Sequence, residues 1–196
     1  FSDGKDTWGL SYLDISTGEF RVTELSDREA LLGEAACVAP REILLPASFR
    51  EGSLLRELAP LTDGRTVTFL DEWVYDPDYA ARLVTTRFGV ESPDAAGCGG
   101  LREGLLAVSA ILHYLQDTRM AMVGHTSGIT RYNTAEYLIM DESTRRNLEL
   151  TATMAENRKK GSLLGLLDRT ATAMGGRKLR QWINYPLITI DKIRER

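Results

Sequence analysis

The apolar pattern of this 196-residue chain changes period once, and that change limits the folds open to it. Over Trp8–Ile15 (WGLSYLDI) and again over Glu19–Leu25 (EFRVTEL), apolar and polar residues alternate one by one. That period lays one face of a β-strand on a core. Ser16-Thr17-Gly18 between them reads as a turn, so the pair predicts an antiparallel hairpin. From Leu101 the period becomes helical: Leu101, Leu105, Val108, Leu112 and Leu115 fall at i, i+4, i+7 spacing and predict an amphipathic helix over Leu101–Arg119. The change falls across Glu91–Gly100 (ESPDAAGCGG), where small and turn residues crowd together. The fold class expected is α/β followed by mostly α, with one domain over 1–94 and a second over 95–196.

Strand and helix signals alternate inside the first half. Ser26 with Glu29 forms a capping box for a helix carrying Ala30, Leu31, Ala35 and Ala36 inward. Arg41–Leu45 reads as a buried strand, Ser48 or Phe49 to Leu58 as a helix ending near Pro60, and Arg65–Leu70 as another strand. Asp76 caps a helix over Pro77–Arg87 with proline at its first position. In the second half Met120–Asn133 reads as a loop and Tyr137–Met140 as a short strand. Asp141 caps a helix running to about Met154. Ser162 caps one carrying Leu163, Leu164, Leu166 and Leu167. Thr172 caps another that reaches Trp182 and closes before Pro186, and Ile190–Arg196 starts a last one.

Charge sharpens the division. Residues 1–94 hold nine basic and eighteen acidic side chains, a balance of −9; residues 95–196 hold fifteen and ten, a balance of +5, within an overall −4. An acidic first half should avoid nucleic acid, whereas a basic second half could lie near it. At 43% hydrophobic and 27% charged the chain suits a folded core. It holds no run of about 18 apolar residues, so no spanning helix is expected. Phe1–Asp6 lacks the basic and apolar regions of a signal peptide, and the start at Phe1 instead of Met suggests a stretch of something longer. Cys37 and Cys98 lie far apart without a CxxC, which predicts two free thiols and a cytoplasmic location.

Catalytic patterns are weak. Asp14, Glu19, Asp71 and Glu72 sit at strand ends, where carboxylates of an α/β layer could hold two metal ions for phosphodiester hydrolysis. They read more simply as turn and cap residues. His113 and His125 form no metal-ligand spacing. Neither Gly97-Cys98-Gly99-Gly100 nor Gly175-Gly176 completes a phosphate loop; Gly175-Gly176 fits close backbone approach to a neighbour better. Arg158, Lys159 and Lys160, then Arg177, Lys178 and Arg180, make the densest basic region and are candidates for DNA or interdomain contact. The plainer reading is a solvated face with internal ion pairs.

One stretch is unusually specific for a region without chemistry. Thr144-Arg145-Arg146-Asn147-Leu148-Glu149-Leu150, Gly161-Ser162-Leu163-Leu164 through Leu167-Asp168, then Thr170, Thr172, Met174-Gly175, Arg177, Leu179-Arg180, Trp182 and Pro186-Leu187 resemble, in order and gaps, the MutS family of DNA mismatch repair proteins. Gly9-Leu10 through Gly18-Glu19-Phe20 is similar to the first hairpin of the family's connector. The resemblance implies an RNase H-like connector over 1–94 and the first helical part of the core, or lever, over 95–196. It implies a piece with no catalytic, cofactor or metal residues of its own. ATP and Mg²⁺ would serve an ATPase after Arg196, and a mismatch-reading domain would precede Phe1. It further implies a relay of nucleotide state to DNA grip, a docking surface for a MutL-like protein, contact with mismatched DNA through the longer parent, packing against the remaining MutS domains, and no membrane. A metal-dependent nuclease and a basic DNA-binding helical module are the alternatives.

Overall fold

Trp8–Asp14 (β1) and Glu19–Leu25 (β2) form the expected hairpin, with Trp8 opposite Leu25 and Asp14 opposite Glu19. The computed structural model describes residues 7–51, 55–56, 58–62, 64–118, 128–138, 140 and 142–196. The hairpin turn is closed by Asp14, whose carboxylate accepts from the Ser16 amide at 2.8 Å and the Ser16 hydroxyl at 2.5 Å. Gly18 sits at φ 73°, a left-handed conformation that suits glycine. Strand alternation then delivers Phe20 and Val22, both buried, to the core.

Helix α1 spans Arg28–Val38. Its cap is Asp27 rather than the expected Ser26: the Asp27 carboxylate accepts from the Ala30 amide at 2.7 Å, while the Ser26 hydroxyl donates to Asp27 at 3.2 Å. Both residues cap well, and position decides between them, because the capping oxygen must reach an amide in the first turn. The face turned inward carries Leu31, Glu34 and Cys37; Ala30, Ala35 and Ala36 are only half-buried.

Glu42–Pro46 (β3) and Thr66–Leu70 (β4) pair in parallel, Glu42 opposite Thr66 and Pro46 opposite Leu70. The crossover begins as a 3₁₀ turn at Ala47–Glu51 and includes a short helix α2 at Ala59–Thr62; of the helix expected from Ser48 or Phe49 to Leu58, the start is this 3₁₀ turn, residues 55–56 are helical, and residues 52–54 and 57 lie outside the described ones. Buried Leu58 packs with Leu32, Ile43, Leu45 and Phe49. A second 3₁₀ turn, Glu72–Tyr75, leads into helix α3, Pro77–Phe88. Asp76 caps α3 as expected, accepting from the Tyr79 amide at 2.8 Å, and Gly89 ends it at φ 65°.

Helix α4, Arg102–Asp117, corrects the expected domain boundary at 94/95. Its apolar stripe does bury Leu101, Val108, Leu112 and Leu115, but Glu103, Gly104, Leu106, Ser109 and Ala110 are buried as well. The helix therefore packs on more than one side, against β1, β2, α3 and the Glu72–Tyr75 turn. The Ser109 hydroxyl donates to the Val74 carbonyl at 3.1 Å. Glu91–Gly100 is consequently no linker: Ala96 and Cys98 are buried in the core shared by the hairpin, α3 and α4. The turn Asp94–Cys98 passes through Gly97 at φ 102°, where a Cβ would lie 2.1 Å from the Ile129 carbonyl oxygen. A two-residue strand, β5 at Thr130–Arg131, then pairs parallel with β2, giving the sheet order β1-β2-β5. This strand falls within the stretch Met120–Asn133 expected to be loop, of which residues 120–127 lie outside the described ones. The chain divides into two compact units, Phe1–Tyr132 and Asn133–Arg196, with charge balances of −8 and +4. The boundary moves because α4 has a second buried face that a single apolar stripe does not announce.

In the second unit, Thr134–Glu136 is a 3₁₀ turn and Tyr137 bridges to Leu187, with the Leu138 amide donating to the Pro186 carbonyl at 2.8 Å. The strand expected over Tyr137–Met140 is this one bridge; Ile139 and the expected cap Asp141 lie outside the described residues. Helix α5 runs only over Glu142–Asn147. It cannot continue to Met154, because Glu149 turns left-handed at φ 47° and its carbonyl accepts from the Leu163 amide at 3.0 Å. Helices α6 (Leu163–Leu167), α7 (Ala173–Asn184) and α8 (Ile190–Glu195) follow.

Candidate functional site

The first basic group lies on a loop tied to itself. The Leu163 and Leu164 amides, at the start of α6, donate to the carbonyls of Glu149 and Leu150 at 3.0 and 2.9 Å. The Glu149 carboxylate accepts from the Met154 amide at 2.6 Å, and the Thr153 amide donates to the Arg158 carbonyl at 2.9 Å. Asn157 and Gly161 take left-handed turns at φ 49° and 99°. Ser162 caps α6 as expected, accepting from the Gly165 amide at 3.1 Å. Gly165 is the position where backbones nearly touch: a Cβ there would lie 2.1 Å from the Lys159 carbonyl oxygen. Close approach was expected at Gly175-Gly176; there a Cβ would instead meet side chains of Thr170, Thr172 and Asp168 at 3.2 Å or more.

Lys159 does not stand open to solvent ligands. Its ammonium donates to the Asp168 carboxylate, which also accepts from the Thr170 hydroxyl at 2.7 Å and the Thr170 amide at 3.1 Å. The Lys159 hydrogen bond, followed by those from Thr170, holds the Asp168 carboxyl far below the usual carboxylate range. Arg158 pairs with Glu156 at 3.2 Å, both exposed, a contact worth little in water. On α7, the Lys178 ammonium donates to the Gln181 side chain at 3.1 Å, and Arg177 is also engaged. Lys160 and Arg180 are exposed. The Asp168 carboxylate that holds Lys159 also lies 3.6 Å from where a Gly176 Cβ would sit, in the first turn of α7. Of the six cations, Arg158, Lys159, Arg177 and Lys178 are thus engaged, while Lys160 and Arg180 are exposed.

Structure also separates the nuclease candidates. Asp14 is spent on the hairpin turn, Glu19 sits 3.7 Å from the Arg21 guanidinium, and Glu72 accepts from the Ser48 amide at 2.7 Å. Asp14 and Glu19 face each other across the hairpin, whereas Asp71 and Glu72 follow β4 in the other sheet. Among the described residues no group of three or more His, Cys, Asp or Glu is placed to hold a metal ion. Of the two glycine candidates, the Gly175 amide in the first turn of α7 is satisfied by Thr172 at 3.0 Å, and Gly97-Cys98 belong to the turn that buries Cys98. His113 is held within an aromatic group, its Nδ1 2.8 Å from the Tyr79 hydroxyl and its ring 5.0 Å from Trp73; His125 lies outside the described residues. Cys37 and Cys98 are thiols outside any disulfide, in line with the sequence expectation; both are buried, and the Cys37 thiol donates to the Gly33 carbonyl at 2.9 Å. Burial first, and the nearby Asp94 charge second, push the Cys98 thiol up to about 11. Among the described residues no helix is long and apolar enough to cross a membrane.

Sequence reasoning missed the contacts that join distant segments. The amino end of α4 is capped by Glu24 of β2, whose carboxylate accepts from the Gly104 amide at 2.9 Å. The Tyr114 hydroxyl donates to Glu42 at 2.6 Å. These partners are 80 and 72 residues apart, beyond any local signal.

Residues 1–127 match the family model MutS domain II, and residues 143–196 match MutS domain III. The chain is 39% identical over 188 residues to a DNA mismatch repair protein MutS from Desulfosudis oleivorans, which covers 96% of this chain and 21% of that protein. It is 40% identical over 189 residues to the protein of the same name from Lachnoclostridium phytofermentans, covering 96% and 20%, and 38% identical over 195 residues to that from Syntrophobacter fumaroxidans, covering 100% and 22%. The chain thus spans about a fifth of the length of the relatives it matches. The matches meet the two compact units in turn, and on them this chain belongs to the MutS family of DNA mismatch repair proteins, as a stretch made of domain II and part of domain III.

Proposed function

We propose that this stretch acts as a connector and lever: it relays nucleotide state to DNA grip and offers a docking surface to a MutL-like protein. The observation that carries the reading is the match of both units, in order, to MutS domains II and III. Relay needs stiff parts joined at defined points. The first unit supplies one, the β1–β2 hairpin and helix α4 locked by backbone-close packing at Gly9 and by the Glu24 cap. We further read this unit as an RNase H-like layer, on the strength of an antiparallel hairpin followed by a parallel strand pair with helices beside them. ATP, Mg²⁺ and mismatched DNA belong, on this reading, to other segments of a longer cytoplasmic protein. Lys160 and Arg180 are the candidates left to touch DNA or a neighbouring domain, because Arg158, Lys159 and Lys178 have internal partners.

Titrating the full chain with a MutL-like protein tests the reading, and saturable binding is expected. A chain that ignores MutL yet cleaves DNA with Mg²⁺ or Mn²⁺, and loses that activity with Asp14→Asn, would make it a nuclease instead. Salt-sensitive duplex binding strongly weakened by charge reversal at Lys159 and Lys160 would favour the basic module.

A further inference from the structure

The chain leaves its first compact unit at Tyr132, and that residue is fastened far more firmly than the strand that carries it. β5 has only two residues in register with β2, extended by the Tyr132 amide donating to the Val22 carbonyl at 3.1 Å. A ladder this short is marginal by itself. Tyr132 is nevertheless 6% exposed. Its hydroxyl donates at 2.7 Å to the carboxylate of Glu34, a residue turned into the core from the middle of α1, 98 residues away. The Arg21 guanidinium lies 4.5 Å from the Tyr132 ring centroid and donates to the Tyr12 hydroxyl at 3.3 Å. The Tyr12 ring meets Tyr132 edge-on at 6.0 Å. Three elements, α1, β1 and β2, thus converge on one side chain at the point of exit.

A buried carboxylate in the middle of a helix is costly unless it is bonded. Leu or Met would pack that face of α1 without the cost, so Glu34 gains its place through what it holds. We propose that Glu34, Arg21 and Tyr12 form a latch on Tyr132, which fixes the end of the first unit. Its purpose rests on the relay reading: a lever transmits motion only from a fixed point, and an unlatched β5 would move that point back toward Gly128. The latch itself is local and is tested without nucleotide, DNA or partner, so its failure and the failure of the relay reading are distinguishable.

Hydrogen exchange followed by mass spectrometry on the full chain, comparing wild type with Tyr132→Phe and Glu34→Leu, is the test. Phe keeps the ring and deletes the hydroxyl. Loss of a buried hydrogen bond to a carboxylate should speed exchange over 130–136 by roughly tenfold or more, while peptides from β1 and α4 stay at wild-type rates. The double variant should exchange about as fast as either single one, since both break the same bond. Unchanged exchange over 130–136, or an equal rise across the whole first unit, would overturn the proposal. Arg102→Gln, an exposed change on α4 outside the cluster, should leave these peptides unchanged; a rise there would also count against a specific latch.

Discussion

Gly9→Ala is the sharpest perturbation of this fold. Gly9 lies in β1 where the hairpin crosses the amino end of α4. A Cβ at that position would sit 2.0 Å from the Glu103 carbonyl oxygen, 2.2 Å from its carbon and 2.7 Å from the Gly104 amide nitrogen. Non-bonded carbons settle at about 3.5–4.0 Å, so strand and helix must part by roughly an ångström or more. All three atoms are backbone, and no rotamer change relieves them. Overpacking of this kind costs about 1–3 kcal/mol and sometimes more. Parting the elements also stretches the 2.9 Å bond from the Gly104 amide to Glu24, a cap worth about 1–2 kcal/mol. Together these give roughly 2–5 kcal/mol, a large part of the ~5–15 kcal/mol that holds a domain folded. Urea unfolding of the full chain, followed by tryptophan fluorescence and circular dichroism, reads this directly. Gly33→Ala is the control: it lies mid-helix in α1 with nothing within 4 Å of its Cβ, and should gain about 0.5–1 kcal/mol. A Gly9→Ala protein within about 0.5 kcal/mol of wild type would refute the claim that α4 belongs to the first unit at backbone contact.

Glu24→Ala should cost the first unit about 1–2 kcal/mol in the same urea assay by leaving the Gly104 amide uncapped. Burial first, opposed by the Arg21 charge, raises the Tyr12 hydroxyl from 10.0 to about 12, so the folded state favours the phenol. Stability is therefore whole below pH 10 and falls by roughly 2–3 kcal/mol as the pH rises to about 12; Tyr12→Phe should flatten the stability–pH curve in that window. In the second unit Leu164→Ala should cost about 2–5 kcal/mol, since Leu164 is 1% exposed, whereas Leu166→Ala, at 73% exposure, should stay within about 0.5 kcal/mol.

Local chemistry was legible in the sequence wherever the interaction spans a few residues. The hairpin register follows from alternation and the Ser16-Thr17-Gly18 turn, and the caps Asp76, Ser162 and Thr172 were read from their own positions. Ser26 lost to Asp27 by one residue because two good caps stood side by side. Glu91–Gly100 misled because glycine has two uses. It marks linkers, and it also lets a buried turn pass 2.1 Å, in Cβ terms, from another backbone, as Gly97 does. The four leucines after Ser162 read as a core face, yet only Leu164 is buried; Leu163, Leu166 and Leu167 are 41%, 73% and 50% exposed. A helix of five residues presents one or two positions inward, so periodicity over so short a span cannot choose among them. The basic residues were visible as charge, but that Asp168 claims Lys159 depends on a chain path closed by Glu149 and Gly161, which no residue count reveals.

The proposed docking of a MutL-like protein gives this stretch a role without chemistry of its own. Its most direct test is competition: rising amounts of the full chain are added to a preformed complex of a full-length MutS relative with its MutL-like protein, and the complex remaining is measured. A progressive, saturable loss of that complex is expected, unchanged by ATP and by mismatched duplex added to the competitor alone. A complex that stays intact at the highest soluble concentration of correctly folded chain would contradict it.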